Sequence, residues 1–170
     1  MSGLAIRSGS PADIPAIIDL QKQTWWVTYE HIVGKEQCDF MFNELYSDVS
    51  LTRQMNVSGH RFFLLERAGG LLGFASCSAQ EEKIFKLHKI YVDPSAQGTG
   101  AGRQLLTAVE AYAESEGAVE LRLNVNRYNP ARHFYEKMGF TVLYEEDVPI
   151  GSYWMNDYVM GKRLNGRVTA

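Results

Sequence analysis

The chain has 170 residues, with 17 Lys and Arg against 20 Asp and Glu, giving a formal net charge of −3. That length predicts one domain over residues 1–170, since domains usually run about 100–150 residues. The 45 % hydrophobic and 22 % charged fractions exclude a disordered or collagen-like chain. The mild acidity argues against a nucleic-acid partner gripped by a broad basic face. Cys38 and Cys77 are too few for a disulfide framework or a zinc site, so no metal is expected and both thiols should be reduced in a cytoplasmic protein. No run of about 18 apolar residues exists, and the first residues lack the apolar stretch of a signal peptide, so no membrane association is expected.

In chain order, Leu4–Arg7 is short and β-like. Ser10-Pro11-Ala12-Asp13 reads as a helix start, with Ser10 as N-cap, Pro11 in the first turn and Asp13 at the positive end of the dipole. Ile14, Ile17 and Ile18 continue at helical spacing, and Phe40, Met41 and Leu45 predict a second helix near Lys35–Leu45. Arg61–Arg67 and Leu71–Ser78 are extended runs joined by Ala68-Gly69-Gly70, a hairpin signal. Ile84–Val92 is a third extended run; by alternation, positions 84, 86, 88, 90 and 92 share one face. A helix over about Gly100–Glu116 carries Leu105, Leu106, Val109 and Tyr112 on one stripe. Val119–Val125 is a strand, Asn129-Pro130 opens a short helix through Met138, and Phe140–Glu145 and Tyr153–Lys162 finish as strands. The order predicts an α/β chain, a mixed sheet with helices packed on its faces.

The segment most informative for chemistry is Ile90–Arg103, IYVDPSAQGTGAGR. A strand runs into a glycine-rich turn that opens a helix. Glycines let backbone approach a ligand closely, and N–H groups at a helix start converge on phosphate. Arg103 stands where it can add a charge-assisted contact. A P-loop would end Gly-Lys-Ser/Thr, but Gly102 is followed by Arg103-Gln104; a dinucleotide fingerprint would need G-x-G-x-x-G, but the glycines are Gly98, Gly100 and Gly102.

Gln97-Gly98-Thr99-Gly100-Ala101-Gly102 instead resembles the Q/R-x-x-G-x-G/A loop of the GNAT superfamily, the acyl-CoA-dependent N-acetyltransferases. Ile90-Tyr91-Val92-Asp93-Pro94 is similar to the end of that family's fourth strand. Asn129-Pro130-Ala131-Arg132-His133-Phe134-Tyr135-Glu136-Lys137-Met138-Gly139-Phe140 is similar to that family's motif in which an asparagine is followed by A/R and then F-Y-E-K-x-G-F. The resemblance implies the GNAT fold: a mixed, mostly antiparallel six- to seven-stranded sheet with helices on both faces and a splayed strand pair holding acyl-CoA. It implies acetyl-CoA as co-substrate and direct transfer of the acetyl group to an amine. Ile90, Tyr91 and Val92 would flank the pantetheine arm, Gln97–Arg103 the pyrophosphate, and Asn129, Ala131 and Arg132 the cofactor from the other side. Asn129 also reads as an N-cap, and the two roles can coexist. Tyr135 matches the position of a tyrosine that protonates the leaving thiolate. The base is less defined: some members carry a glutamate where this chain has Lys86, so His88, on the same predicted face, is the candidate, with Glu81 or Glu82 acting through water as alternatives.

For the acceptor, the resemblance points to the first helices and last strands. Trp25 and Tyr29 share a helical face with Glu30 at its rim, and Tyr153, Trp154, Met155, Asn156 and Asp157 complete the candidates. Aromatic and acidic groups suit a cationic amine. Thr24-Trp25-Trp26-Val27-Thr28-Tyr29 and Asp157–Leu164 are similar to the PaiA-like branch, associated with polyamine acetylation. A small-molecule amine, a polyamine foremost, is therefore the expected acceptor. A protein or peptide N-acetyltransferase and a non-catalytic acyl-CoA-binding sensor remain the alternatives. The family also implies a homodimer.

Overall fold

The computed structural model describes residues 3–164. Seven strands form one sheet in the order β1-β2-β3-β4-β5-β7-β6. They are β1 (Ala5–Ser8), β2 (Arg61–Arg67), β3 (Gly70–Glu81), β4 (Ile84–Val92), β5 (Glu120–Asn126), β6 (Thr141–Ile150) and β7 (Tyr153–Arg163). Every neighbouring pair is antiparallel except β4 and β5. That parallel pair needs a crossover, and α4 (Ala101–Ser115) supplies it. The architecture is the mixed, helix-covered α/β sheet that the sequence predicts.

Two apolar cores sandwich the sheet. On one face Leu105, Leu106, Val109 and Ala113 of α4 pack on Phe63, Leu65, Phe85, Leu87, Leu121 and Leu123. The short helix α5 (Ala131–Lys137) closes the end of that face through Tyr135. On the other face α1 (Ile14–Val33), α2 (Lys35–Tyr46) and α3 (Asp48–Asn56) bury Ile14, Ile17, Trp25, Phe42, Tyr46 and Leu51 on Phe62, Leu64 and Phe74. Each such large side chain contributes roughly 1.5–3 kcal/mol on burial. The helix α3 has no counterpart in the sequence reading. It buries only Leu51, so its apolar signal is weak, and it starts where the Ser47 hydroxyl accepts from the Ser50 N–H.

One departure matters for the site. Along β3 and β4, Ser76 faces Lys89 while Cys77 faces Leu87, so His88 is an extra residue in β4, a β-bulge. The bulge resets the alternation. Ile90 and Val92 pack with Phe85 and Leu87, while Tyr91 packs in the opposite core. The expectation that residues 84, 86, 88, 90 and 92 share one face is therefore corrected at His88.

Candidate active site

The bulge coincides with an opening in the sheet. β4 and β5 pair only from Ile84 with Glu120 to Leu87 with Leu123. Beyond that point β4 stays paired to β3 as far as Val92, and β5 to β7 as far as Asn126. The two strands separate and leave a cavity of about 420 Å³. Leu87, Ile90, Tyr91, Val92 and Gln97 line one side; Leu123, Val125, Asn129, Ala131 and Tyr135 line the other.

At its outer end stands the glycine loop. Gly98 and Gly100 have φ of +82° and +88°, conformations that suit glycine, and a Cβ on either would meet only open space. Gly100 is the N-cap of α4 and no side chain caps the first turn, so the N–H groups of that turn are left for a ligand. Gly98, Thr99, Gly100 and Arg103 are exposed there, and Ala101 is buried. Gln97 Nε2 donates to the Val92 carbonyl at 3.3 Å, tying the loop to the strand end. A phosphate-bearing, amide-containing arm fits these features: strand edges for the amides and an uncapped helix start for the phosphates.

Asn129 is buried, and its Oδ1 accepts from the Ala131 N–H at 2.9 Å, so it starts α5 while lining the cavity. Tyr135 is buried between Phe134 and Phe140, and burial raises its pKa well above that of a free phenol. The phenol therefore stays protonated across the neutral range. Its hydroxyl has no hydrogen-bond partner among the described residues. Arg132 lies at the start of α5, with its guanidinium 5.3 Å from the Tyr158 ring and outside the residues that line the cavity.

A second cavity of about 380 Å³ adjoins the first on the α1–α2 face and shares Tyr29, Leu87, His88, Lys89, Tyr91 and Asn124 with it. Trp25 forms part of its wall; its Nε1 donates to the Cys38 carbonyl at 2.9 Å and its ring centroid lies 4.5 Å from that of Tyr29. The Tyr29 and Tyr91 hydroxyls are 3.4 Å apart. Sequence reasoning missed Tyr46, His60, Lys89 and Asn124, which line this cavity as well. Lys89 is only 7 % exposed, with its amine 5.3 Å from the Tyr46 ring centroid, and burial lowers its pKa to about 8. No motif signals it, because strict alternation would have turned it to the other core.

Two acceptor candidates fall outside. Glu30 is exposed and borders an outer hollow with Trp26, Val27 and His31. The Tyr153 hydroxyl donates to Glu36 Oε1 at 2.7 Å and its ring packs on Phe40, away from both cavities. Among the base candidates, Glu81 and Glu82 are exposed. His88 reaches the second cavity, but its Nε2 is 2.6 Å from Ser78 Oγ and its ring stacks on His60. Burial, then the neighbouring His60, Lys89 and Lys86, hold its proton affinity far below that of a free imidazole. His88 is therefore held as a neutral imidazole, with one ring nitrogen engaged by Ser78.

A mixed sheet opened between two parallel strands, with a glycine loop at the mouth, defines an acyl-CoA-dependent transferase fold. Residues 29–156 match the acetyltransferase (GNAT) domain profile, and the chain belongs to that family, whose members use acetyl-CoA. The spermidine N(1)-acetyltransferase of Thermoplasma acidophilum is 28 % identical over 165 residues, covering 94 % of this chain and 97 % of that one. The crystal structure of PaiA N-acetyltransferase from the same organism, in complex with coenzyme A, superposes with a TM-score of 0.79 at 29 % identity, covering 96 % and 99 % of the two chains. An uncharacterized N-acetyltransferase of Mycobacterium tuberculosis is 35 % identical over 97 residues, 56 % of this chain; the match spans 62 % of that relative's length. Among the described residues no helix is long and apolar enough to cross a membrane.

Proposed function

We propose that this chain, as one N-acetyltransferase domain, transfers an acetyl group from acetyl-CoA to a primary amine of a small molecule. The observation that carries the proposal is the opening between β4 and β5, which starts at the His88 bulge, holds Tyr135 and ends at the glycine loop. Acetyl-CoA supplies the acetyl group as a thioester. Backbone of Ile90–Val92 and the side chain of Asn129 would receive the arm, and the N–H groups from Gly98 to Gly102 the phosphates. Tyr135 keeps its proton until sulfur leaves, which is the task of a positioned acid. The second cavity would take the amine from the opposite face of the sheet, with Trp25 and Tyr29 as aromatic wall.

A polyamine acceptor is supported by the Thermoplasma relative and by the aromatic wall. A cytoplasmic location fits two buried, free cysteines. A homodimer would use the outer strand β6, where Val142, Leu143 and Tyr144 are exposed; sedimentation equilibrium decides it. Titration calorimetry with acetyl-CoA tests the cofactor, and thiol release across polyamines, amino acids, aminoglycosides and peptides tests the acceptor. Binding plus thiol release with a small amine is the expected result. A folded sample that does not bind acetyl-CoA sinks the proposal, and release with peptides alone replaces the acceptor class.

A further inference from the structure

The second cavity holds a carboxylate that the fold leaves unbalanced. Asp157 on β7 is 6 % exposed and lines this cavity. Its Oδ2 accepts from Asn124 Nδ2 at 3.1 Å, while its Oδ1 is buried with no hydrogen-bond partner. Among the described residues no cation lies within ion-pairing distance of its carboxylate, although Arg127 Nε donates to the Asp157 main-chain carbonyl at 3.1 Å. Lys86 from β4 lines the same cavity, Arg127 pairs with Asp147 and Glu145, and Glu146 shares Asn124. A buried carboxylate without a directly paired cation costs several kcal/mol, and a perturbed carboxylate facing a cleft is a candidate functional group.

We propose that Asp157 Oδ1 is the acceptor site's ammonium-binding group and takes the first proton from the incoming primary ammonium. The inference rests on the acetyltransferase reading above and assigns the acceptor end of the same site. Asp157 sits beside the opening, since it pairs with Asn126 and is bonded to Asn124, both on the β5 segment that has left β4. Met155, two residues earlier on β7, and Tyr29 and Tyr91 give the alkyl part of the amine an apolar wall. Asn124 holds the second carboxylate oxygen and so fixes the direction of the first.

The proton balance is simple. The ammonium enters as R–NH3+ and gives one proton to Asp157, freeing the lone pair. In a site this buried, the neutral amine and neutral acid are favoured over the ion pair. Burial, joined by the nearby Glu146 carboxylate, lifts the Asp157 proton affinity above the usual carboxylate range, against the Asn124 hydrogen bond and the more distant charges of Lys86 and Arg127, which lower it. The nitrogen then forms the C–N bond as the C–S bond breaks. Tyr135 delivers its proton to the leaving sulfur, and the second nitrogen proton, lost as the amide forms, restores the Tyr135 phenol. The net products are the amide, the free thiol and one proton, which leaves Asp157 for water.

The test uses n-butylamine as probe and n-butanol as its uncharged counterpart, each titrated into the full chain loaded with coenzyme A. The amine should bind at least tenfold more tightly than the alcohol, and Asp157→Asn should abolish that difference while leaving acetyl-CoA affinity unchanged. In the unsubstituted protein, the backbone-assigned Asp157 carboxyl carbon resonance should move on adding the amine and not the alcohol, a readout that needs no variant. Equal binding of amine and alcohol, or an Asp157 resonance that ignores the amine, overturns the assignment. Loss of acetyl-CoA binding by the unsubstituted chain would instead overturn the transferase reading.

Discussion

The imidazoles of His60 and His88 lie face to face, with ring centroids 3.9 Å apart and planes 5° from parallel. Two imidazolium ions cannot share that stack, so the pair titrates as a unit. Burial, then the charges of Lys89 and Lys86, lower the His60 pKa to about 4, and His88 is held lower still. The unfolded chain binds protons near pH 6.5. Between pH 6.5 and 4 it therefore holds more protons than the folded one, and stability falls as pH falls. His60→Phe keeps a stacked ring and removes one titrating group along with a buried, unpartnered Nδ1. The variant should lose less Tm than the parent between pH 7 and pH 5 in calorimetry.

Lys89 should act in the opposite pH range. Its pKa of about 8, against 10.5 outside the fold, means that the folded chain pays for a buried ammonium below pH 8 and is relieved above 10.5. The difference sets a ceiling of roughly 3 kcal/mol, part of which the contact with the Tyr46 ring offsets. Lys89→Met should raise stability by about 1–2 kcal/mol at pH 7. Denaturant titrations should show that gain shrinking as pH rises from 8 to 10.5.

The glycine loop, the helix it opens and the Asn129–Phe140 segment were legible in the sequence because each rests on local chemistry: positive φ, an uncapped helix start, a cap at Asn129. The acceptor side was not legible in the same way. Its groups come from β4, β5, β7, α1 and α2, and only folding brings Asp157 to Asn124 or Lys89 to Tyr46. The His88 bulge is the decisive case. One extra residue reverses which side chains face the acceptor, and nothing in IFKLHKIYV announces it. Lys89 entered the site and Ile90 left its predicted company for that reason.

Tyr135→Phe isolates one oxygen atom. The ring keeps its packing between Phe134 and Phe140, so acetyl-CoA affinity should be nearly unchanged. Turnover should fall by about 10²–10⁴-fold, the range of a lost general acid. Single-turnover thiol release separates the two quantities, and an unchanged rate removes Tyr135 from the chemistry.

Gly100→Val acts at the other end of the cavity. A β-branched residue at φ +88° is strained, and its side chain would occupy the open space at the start of α4. Calorimetry should register no acetyl-CoA binding, while circular dichroism shows the fold retained, since the packing of Leu105 and Leu106 lies on the next turn.

Glu30 and Tyr153 provide the complementary check. Both suit a cationic acceptor by residue type, yet Glu30 faces an outer hollow and Tyr153 is engaged by Glu36 and Phe40. An exposed carboxylate that far from the amine acts through water and salt, where its influence is at most about 1 kcal/mol. Glu30→Gln and Tyr153→Phe should therefore change kcat/KM for any accepted amine by less than about fivefold, since roughly 1 kcal/mol is a factor of five. Steady-state kinetics at low salt, where residual steering is strongest, is the stringent condition. A larger loss in either variant would move the acceptor path from the Asp157 wall to the outer face of α1.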